Sequence, residues 1–216
     1  MNGSSDTSNT ININSALDGG QTITLSSALP PIAKNVSIVG PGAGLVSVSG
    51  NDHSRVFNIG PGTSVTIAGL TIADGRAQGV VAGVDPAYAS EGGGVLNLGD
   101  LTLSNDVLSN NQALGLTNVV GAGLFSGGAS GGGVNNHGTL IVDTCEFRNN
   151  LAQGADGSSG TNVAGFGGGG AIPNDPEKGT SASITGSQFV GNVAQGGLVA
   201  AAIPSSKLVW ALAALL

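Results

Sequence analysis

Hydrolysis of a glycosidic bond needs two carboxylates facing one sugar linkage, and elimination from a uronate needs a base beside a neutralised acid. The candidate acids here are Asp52, Asp74, Asp100, Asp106, Asp143 and Glu146. Asp74-Gly75-Arg76 is the one Asp near an Arg that directly follows a strand-like run, and it reads as a turn with a surface ion pair. Asp106 and Glu146 fall near equivalent positions of a repeat, so they are expected one repeat apart, as a solvated edge rather than a catalytic dyad. His53 and His137 come from different repeats, with no Cys or acid at zinc-ligand spacing, and both read as surface turn residues. Cys145 is the only cysteine, so no intrachain disulfide exists, and the residue reads as a small apolar core member. A sugar groove usually offers stacking rings, yet Tyr88 and Trp210 are the only large aromatics with a polar tip. No GxSxG, HExxH or GxxxxGK occurs. The residues predict no enzyme, no cofactor and no metal.

Composition narrows the classes further. Glycine is 39 of 216 residues, charged residues are 9% and aromatics 3%, which does not describe an aromatic-rich enzyme core. The net charge is −7, and the cations Lys34, Arg55, Arg76, Arg148, Lys178 and Lys207 stand singly. Nucleic acid is therefore excluded as a partner, because phosphate binding needs clustered cations. The glycine triplets are not phosphate loops, since no helical pattern follows them.

The elements that would position any site come from repeats. Residues 92–115, 131–154 and 168–196 share a glycine triplet, an apolar pair, a turn, an apolar strand, then an apolar residue three before an Asn, and finally Ala and Gly. Those final pairs are Leu108 with Asn111, Phe147 with Asn150, and Phe189 with Asn192. A degenerate copy over 56–72 keeps the strands without the triplet, and 22–25, 36–39 and 45–48 supply three more strands. Short β-branched runs bounded by Gly, Pro or Asn read as strands, and no period-3.6 stripe appears between Thr22 and Gly196. Three strands recurring in fixed order predict an all-β fold, a right-handed single-stranded parallel β-helix of about five coils. The boundaries are 1–21 for an N-terminal cap or flexible segment, 22–196 for the β-helix, and 197–216 for an apolar tail or short capping helix. The insertions 77–91, 116–130 and 155–167 enter at one point of the repeat and should emerge from one edge, where loops often bind. Phe147 and Phe189 should point inward and stack. Asn111, Asn150 and Asn192 should form an amide ladder that satisfies backbone groups of neighbouring coils. Thr66, Thr71 and Thr102 begin a threonine row that Ile141 and Val142 interrupt, too short for an ice-binding face.

Gly169-Gly170-Ala171-Ile172 with Phe189-Val190-Gly191-Asn192 resembles the paired GGA[ILV] and FxxN signatures of polymorphic outer-membrane protein repeats. Phe147-Arg148-Asn149-Asn150 fits FxxN, Leu108-Ser109-Asn110-Asn111 swaps Phe for Leu, and Gly93-Gly94-Val95 and Gly132-Gly133-Val134 keep the glycines. Residues 36–43 and 69–72 look like the opening coils of bacterial surface proteins with pectin-lyase-like β-helices. The resemblance implies a structural or adhesin-like passenger segment, extracellular or at the bacterial cell surface and outer membrane. It implies a glycan or protein of a host or neighbouring cell as partner, and a membrane only through an anchor elsewhere. Residues 1–10 show neither a basic nor an apolar leader region, so the chain either stays inside the cell or is a fragment of something longer, and the resemblance implies a fragment of an exported protein. Open coil ends predict end-to-end self-association. The alternative is a polysaccharide lyase or glycoside hydrolase of the same fold.

Overall fold

The computed structural model describes residues 9–14, 20–78, 88–116, 127–156, 164–173 and 180–198. These residues are all-β, with parallel pairing throughout and no α-helix. Among them no helix is long and apolar enough to cross a membrane. The tail beyond Leu198, and with it Trp210, lies outside the described residues, as do the middles of the three insertions.

The chain visits its sheets in a fixed order, and each strand lies beside one laid down a repeat earlier. The first sheet runs β1 (Asn9–Asn12), β3 (Val36–Val39), β6 (Ser64–Ala68), β10 (Asp100–Ser104), β15 (Thr139–Asp143) and β19 (Ser181–Thr185). The second runs β2 (Gln21–Thr24), β4 (Val46–Ser49), β7 (Thr71–Ala73), β11 (Val107–Ser109), β16 (Glu146–Arg148) and β20 (Gln188–Val190). A third joins β8 (Arg76–Ala77), β12 (Gln112–Leu114), β17 (Leu151–Gln153) and β21 (Val193–Gln195). A fourth joins β5 (Phe57–Ile59), β9 (Val95–Asn97) and β14 (Val134–Asn136), and β13 (Ala129–Ser130) pairs with β18 (Gly167–Gly168) beside the third sheet. The order is compatible with a parallel β-helix. Within the stretch expected as a cap, 1–21, strand β1 already pairs with β3.

Register turns the period-two alternation of each strand into continuous columns. In the first sheet Ile11, Ile38, Ile67, Leu103, Val142 and Ile184 lie side by side. In the second, Ile23, Val48, Ile72, Leu108, Phe147 and Phe189 do the same. Their middle members are buried and belong to one core cluster. Each strand is too short to bury its apolar face alone, so the columns hold the fold together. Between them on the outward face run Thr10, Ser37, Thr66, Thr102, Ile141 and Ser183. Thr66 does face Thr102, whereas Thr71 lies against Val107 in the second sheet.

The glycine triplets meet two demands. Gly92, Gly131 and Gly169 have φ of +63°, +67° and +52°, a left-handed conformation that costs a Cβ-bearing residue dearly. Next to them, Gly93, Gly132 and Gly170 press on the third sheet, where an added Cβ would lie 2.4 Å from the Gln112 carbonyl, 2.5 Å from Leu151 and 2.3 Å from the Val193 carbonyl. The bond from the Val134 amide to the Ala171 carbonyl corrects the alignment by one residue. The triplets equivalent to residues 92–94 and 131–133 are residues 169–171, so Gly94 and Gly133 stand where Ala171 stands. Uniform glycines across 167–170 hid that register in the sequence.

Candidate functional site

Chemistry-bearing side chains gather at three places: two corners of the repeat and one buried cluster beside the insertions. The corner between the second and third sheets carries the asparagines. Asp74, Asn110, Asn149 and Gly191 turn the chain there with φ between +50° and +65°. The next residue in each repeat is Gly75, Asn111, Asn150 and Asn192. Asn111 Oδ1 accepts the Gly75 amide at 2.9 Å, Asn150 Oδ1 accepts that of Asn111 at 3.1 Å, and Asn192 Oδ1 accepts that of Asn150 at 3.1 Å. Their amide nitrogens donate back to the carbonyls of Ile72, Leu108 and Phe147 at 3.0, 2.9 and 2.8 Å. The Asn side chains also bond one another, at 3.0 and 2.8 Å. Below this corner the Phe147 and Phe189 rings stack, with centroids 5.0 Å apart. Asn97 and Asn136, both fully buried, form a second amide pair at 2.6 Å in the fourth sheet. The recurring Val-x-Asn of β9 and β14 was its signal.

The corner between the first and second sheets does the same work with unlike residues. Gly69, Asn105, Thr144 and Gly186 take the left-handed conformation, and Leu70, Asp106, Cys145 and Ser187 follow them. Asp106 Oδ1 accepts the Leu70 amide at 2.8 Å, the Cys145 sulfur accepts that of Asp106, and Ser187 Oγ accepts that of Cys145 at 3.0 Å. Each side chain also binds the residue two before it. Asp106 Oδ2 accepts the Ser104 amide, while the Cys145 thiol and the Ser187 hydroxyl donate to the Asp143 and Thr185 carbonyls. Asp106 is 1% exposed, and burial pushes its carboxyl up to about 7, against the two amide hydrogen bonds. Burial also pushes the Cys145 thiol up to about 11, which makes it inert as a nucleophile.

Asp106 and Glu146 lie one repeat apart, offset by one residue, but Asp106 is buried rather than on a solvated edge. Asp106 lies beside Cys145, and Glu146 lies beside Val107 in the second sheet. Both line one hollow of about 290 Å³ with Cys145 and Gln188. Glu146 instead approaches Arg148 at 3.6 Å. Arg76 does not pair with Asp74 either: it donates to Gln78, and Asp74 accepts the Ser49 hydroxyl at 3.1 Å. Asp52, Asp100 and Asp143 are exposed.

The third place was not legible as a cluster. Arg55, 4% exposed, donates to the carbonyls of Tyr88 at 2.7 Å, Glu91 at 2.6 Å and Gly92 at 2.9 Å. Burial pulls its guanidinium down to about 10, and the Glu91 carboxylate opposes that shift. Glu91 Oε2 lies 2.6 Å from His137 Nε2 and accepts from Asn135 at 2.7 Å, and the Tyr88 ring packs 4.9 Å from the imidazole. His137, expected on the surface, has a side chain only 6% exposed, because the returning insertion 88–91 closes over it. His53 is exposed.

No family model, curated protein or solved structure matches the chain. The site must therefore be judged on its own chemistry. Carboxylate Oε2 of Glu91 holds two donors, and the Arg55 guanidinium is spent on main-chain carbonyls. The cluster can orient a base, but its present partners all lie within the protein. Among the described residues no group of three or more His, Cys, Asp or Glu could hold a metal ion.

Proposed function

We propose that the chain is a right-handed single-stranded parallel β-helix of about five coils, and a structural or adhesin-like segment of a bacterial cell-surface or secreted protein, without catalysis. The observation that carries this reading is the Asn111–Asn150–Asn192 ladder over the Phe147–Phe189 stack. These are the residues by which the sequence resembles polymorphic outer-membrane protein repeats, and each is spent on holding one repeat to the next. The buried Asp106, Cys145 and Arg55 are likewise engaged with the main chain, and the half-buried Glu91 with Asn135 and His137. Partners are a glycan or protein of a host or neighbouring cell, with nucleic acid excluded by scattered cations, and the membrane reached only through an anchor elsewhere.

Polysaccharide cleavage is the second reading, favoured by the Glu91–His137 contact at 2.6 Å beneath the insertions. The test measures binding to immobilised cell-surface glycans and cleavage of neutral and uronate polysaccharides with the same protein. Binding without cleavage is expected, unchanged in His137→Gln. Cleavage that falls at least about a hundredfold in His137→Gln, as loss of a general base would produce, would replace the scaffold with the enzyme.

A further inference from the structure

The two ends of the molecule expose the same columns. Ile11 and Ile184 terminate the first-sheet column at 52% and 46% exposure, whereas its middle members Ile67, Leu103 and Val142 are fully buried. Ile23 and Phe189 terminate the second-sheet column, each at 45% exposure. Among the described residues each terminal strand has one partner: β1 pairs only with β3, β2 with β4, β19 with β15 and β20 with β16. Among those residues, one edge of each strand therefore has no main-chain partner. Edge strands are ordinarily blunted by charge, proline or a bulge. Here β1, β2, β19 and β20 read NTIN, QTIT, SASIT and QFV, with no charged residue and no proline. Beside Ile11 a hollow of about 450 Å³, walled by Leu29, Ile32, Ile38 and Phe57, leaves apolar interior uncovered at the N-terminal end. Pro30 and Lys34 also line this hollow, outside the strands themselves.

We propose that the two end faces bind each other, β1 and β2 of one copy docking in parallel on β19 and β20 of the next. The occupant is a second copy because both faces carry the same two columns in the same register, which continues Ile184 into Ile11 and Phe189 into Ile23. The contact is heterologous, so it propagates into linear assemblies rather than closing as a dimer. It rests on the parallel β-helix reading, which makes the columns run straight from end to end.

The register names the test. In the contact Thr10 of one copy falls beside Ser183 of the next, both exposed and both outside the core. Sedimentation of the full chain should show mass rising with concentration. T10K/S183K sets like charges opposite each other and should raise the assembly concentration about fivefold or more, while T10K/S183E should restore it, as cross-strand charge pairs do. Added salt should narrow the gap between the two variants. A monomer at every concentration, as when residues 199–216 cover the last strands, overturns the proposal. So does assembly that ignores both variants. Far-UV circular dichroism on the same samples separates the failures: a β-spectrum with a monomeric mass overturns the contact alone, and a largely helical spectrum overturns the fold reading with it.

Discussion

The two corners of the repeat face one demand and meet it differently. At each, a left-handed residue turns the chain, and the amide that follows must find an acceptor from the next repeat. Between the second and third sheets Asn111, Asn150 and Asn192 supply it, the same side chain each time. Between the first and second sheets Asp106, Cys145 and Ser187 supply it, three different ones. A primary amide both accepts and donates, so a row of them also bonds along itself. A carboxylate, a thiol and a hydroxyl have in common the ability to accept, and their second bond is accepted by Asp106 but donated by Cys145 and Ser187. The task thus constrains one corner to a residue type and the other only to an acceptor atom.

Replacing the middle of the uniform ladder breaks that comparison hardest. Asn150→Leu leaves the Asn111 main-chain amide and one Asn111 side-chain hydrogen unpaired in the interior. Two such orphans cost about 4 kcal/mol, which denaturant unfolding would show as a lower midpoint, with a cost far smaller than this contradicting the ladder's role.

Protonation sharpens the comparison next. The folded Asp106 carboxyl sits at about 7, above its ordinary 3.8, so folding favours its neutral form. That stability is fully present below about pH 4 and is lost as pH rises through 7, amounting to roughly 4 kcal/mol. Urea midpoints of wild type should therefore fall across this window relative to Asp106→Asn, which keeps an acceptor for the Leu70 amide. Parallel pH profiles for the two proteins would show that the buried carboxyl does not carry the dependence.

The smallest effect distinguishes acceptor from residue type. Cys145→Ser keeps an atom that accepts from Asp106 and donates to Asp143, and should alter stability by less than about 1 kcal/mol. Cys145→Val fits a similar space but orphans the Asp106 amide, and should cost about 2 kcal/mol. Equal costs for the two would mean that the site senses packing alone.

What was legible in the sequence follows the same divide. Strands and columns showed through short β-branched runs, and the asparagine corner showed because one residue recurs three positions after Leu108, Phe147 and Phe189. The other corner did not, since Leu70, Asp106, Cys145 and Ser187 share no chemistry that a pattern search compares. Even its turning residue varies, with Thr144 at φ +55° where β-branched side chains are rare. The Arg55–Glu91–His137 cluster was hidden for a different reason. Its members occur once each, 36 to 46 residues apart, across an insertion whose return path no local propensity encodes.

The places where the insertions leave and rejoin the strands are pinned by main-chain bonds: the Gly115 amide to the Gln153 carbonyl on departure, and the Gly92 amide to the Ser130 carbonyl and the Gly131 amide to the Gly168 carbonyl on return. Because both ends of each excursion are clamped to neighbouring repeats, its length is decoupled from the phase of everything downstream. Residues can be added, removed or exchanged there, ahead of the returning stretches 88–91, 129–130 and 167–168, without shifting the strand pairings. The molecule therefore has an editable margin along one edge, where new sequence can be tried while the rest of the chain keeps its count.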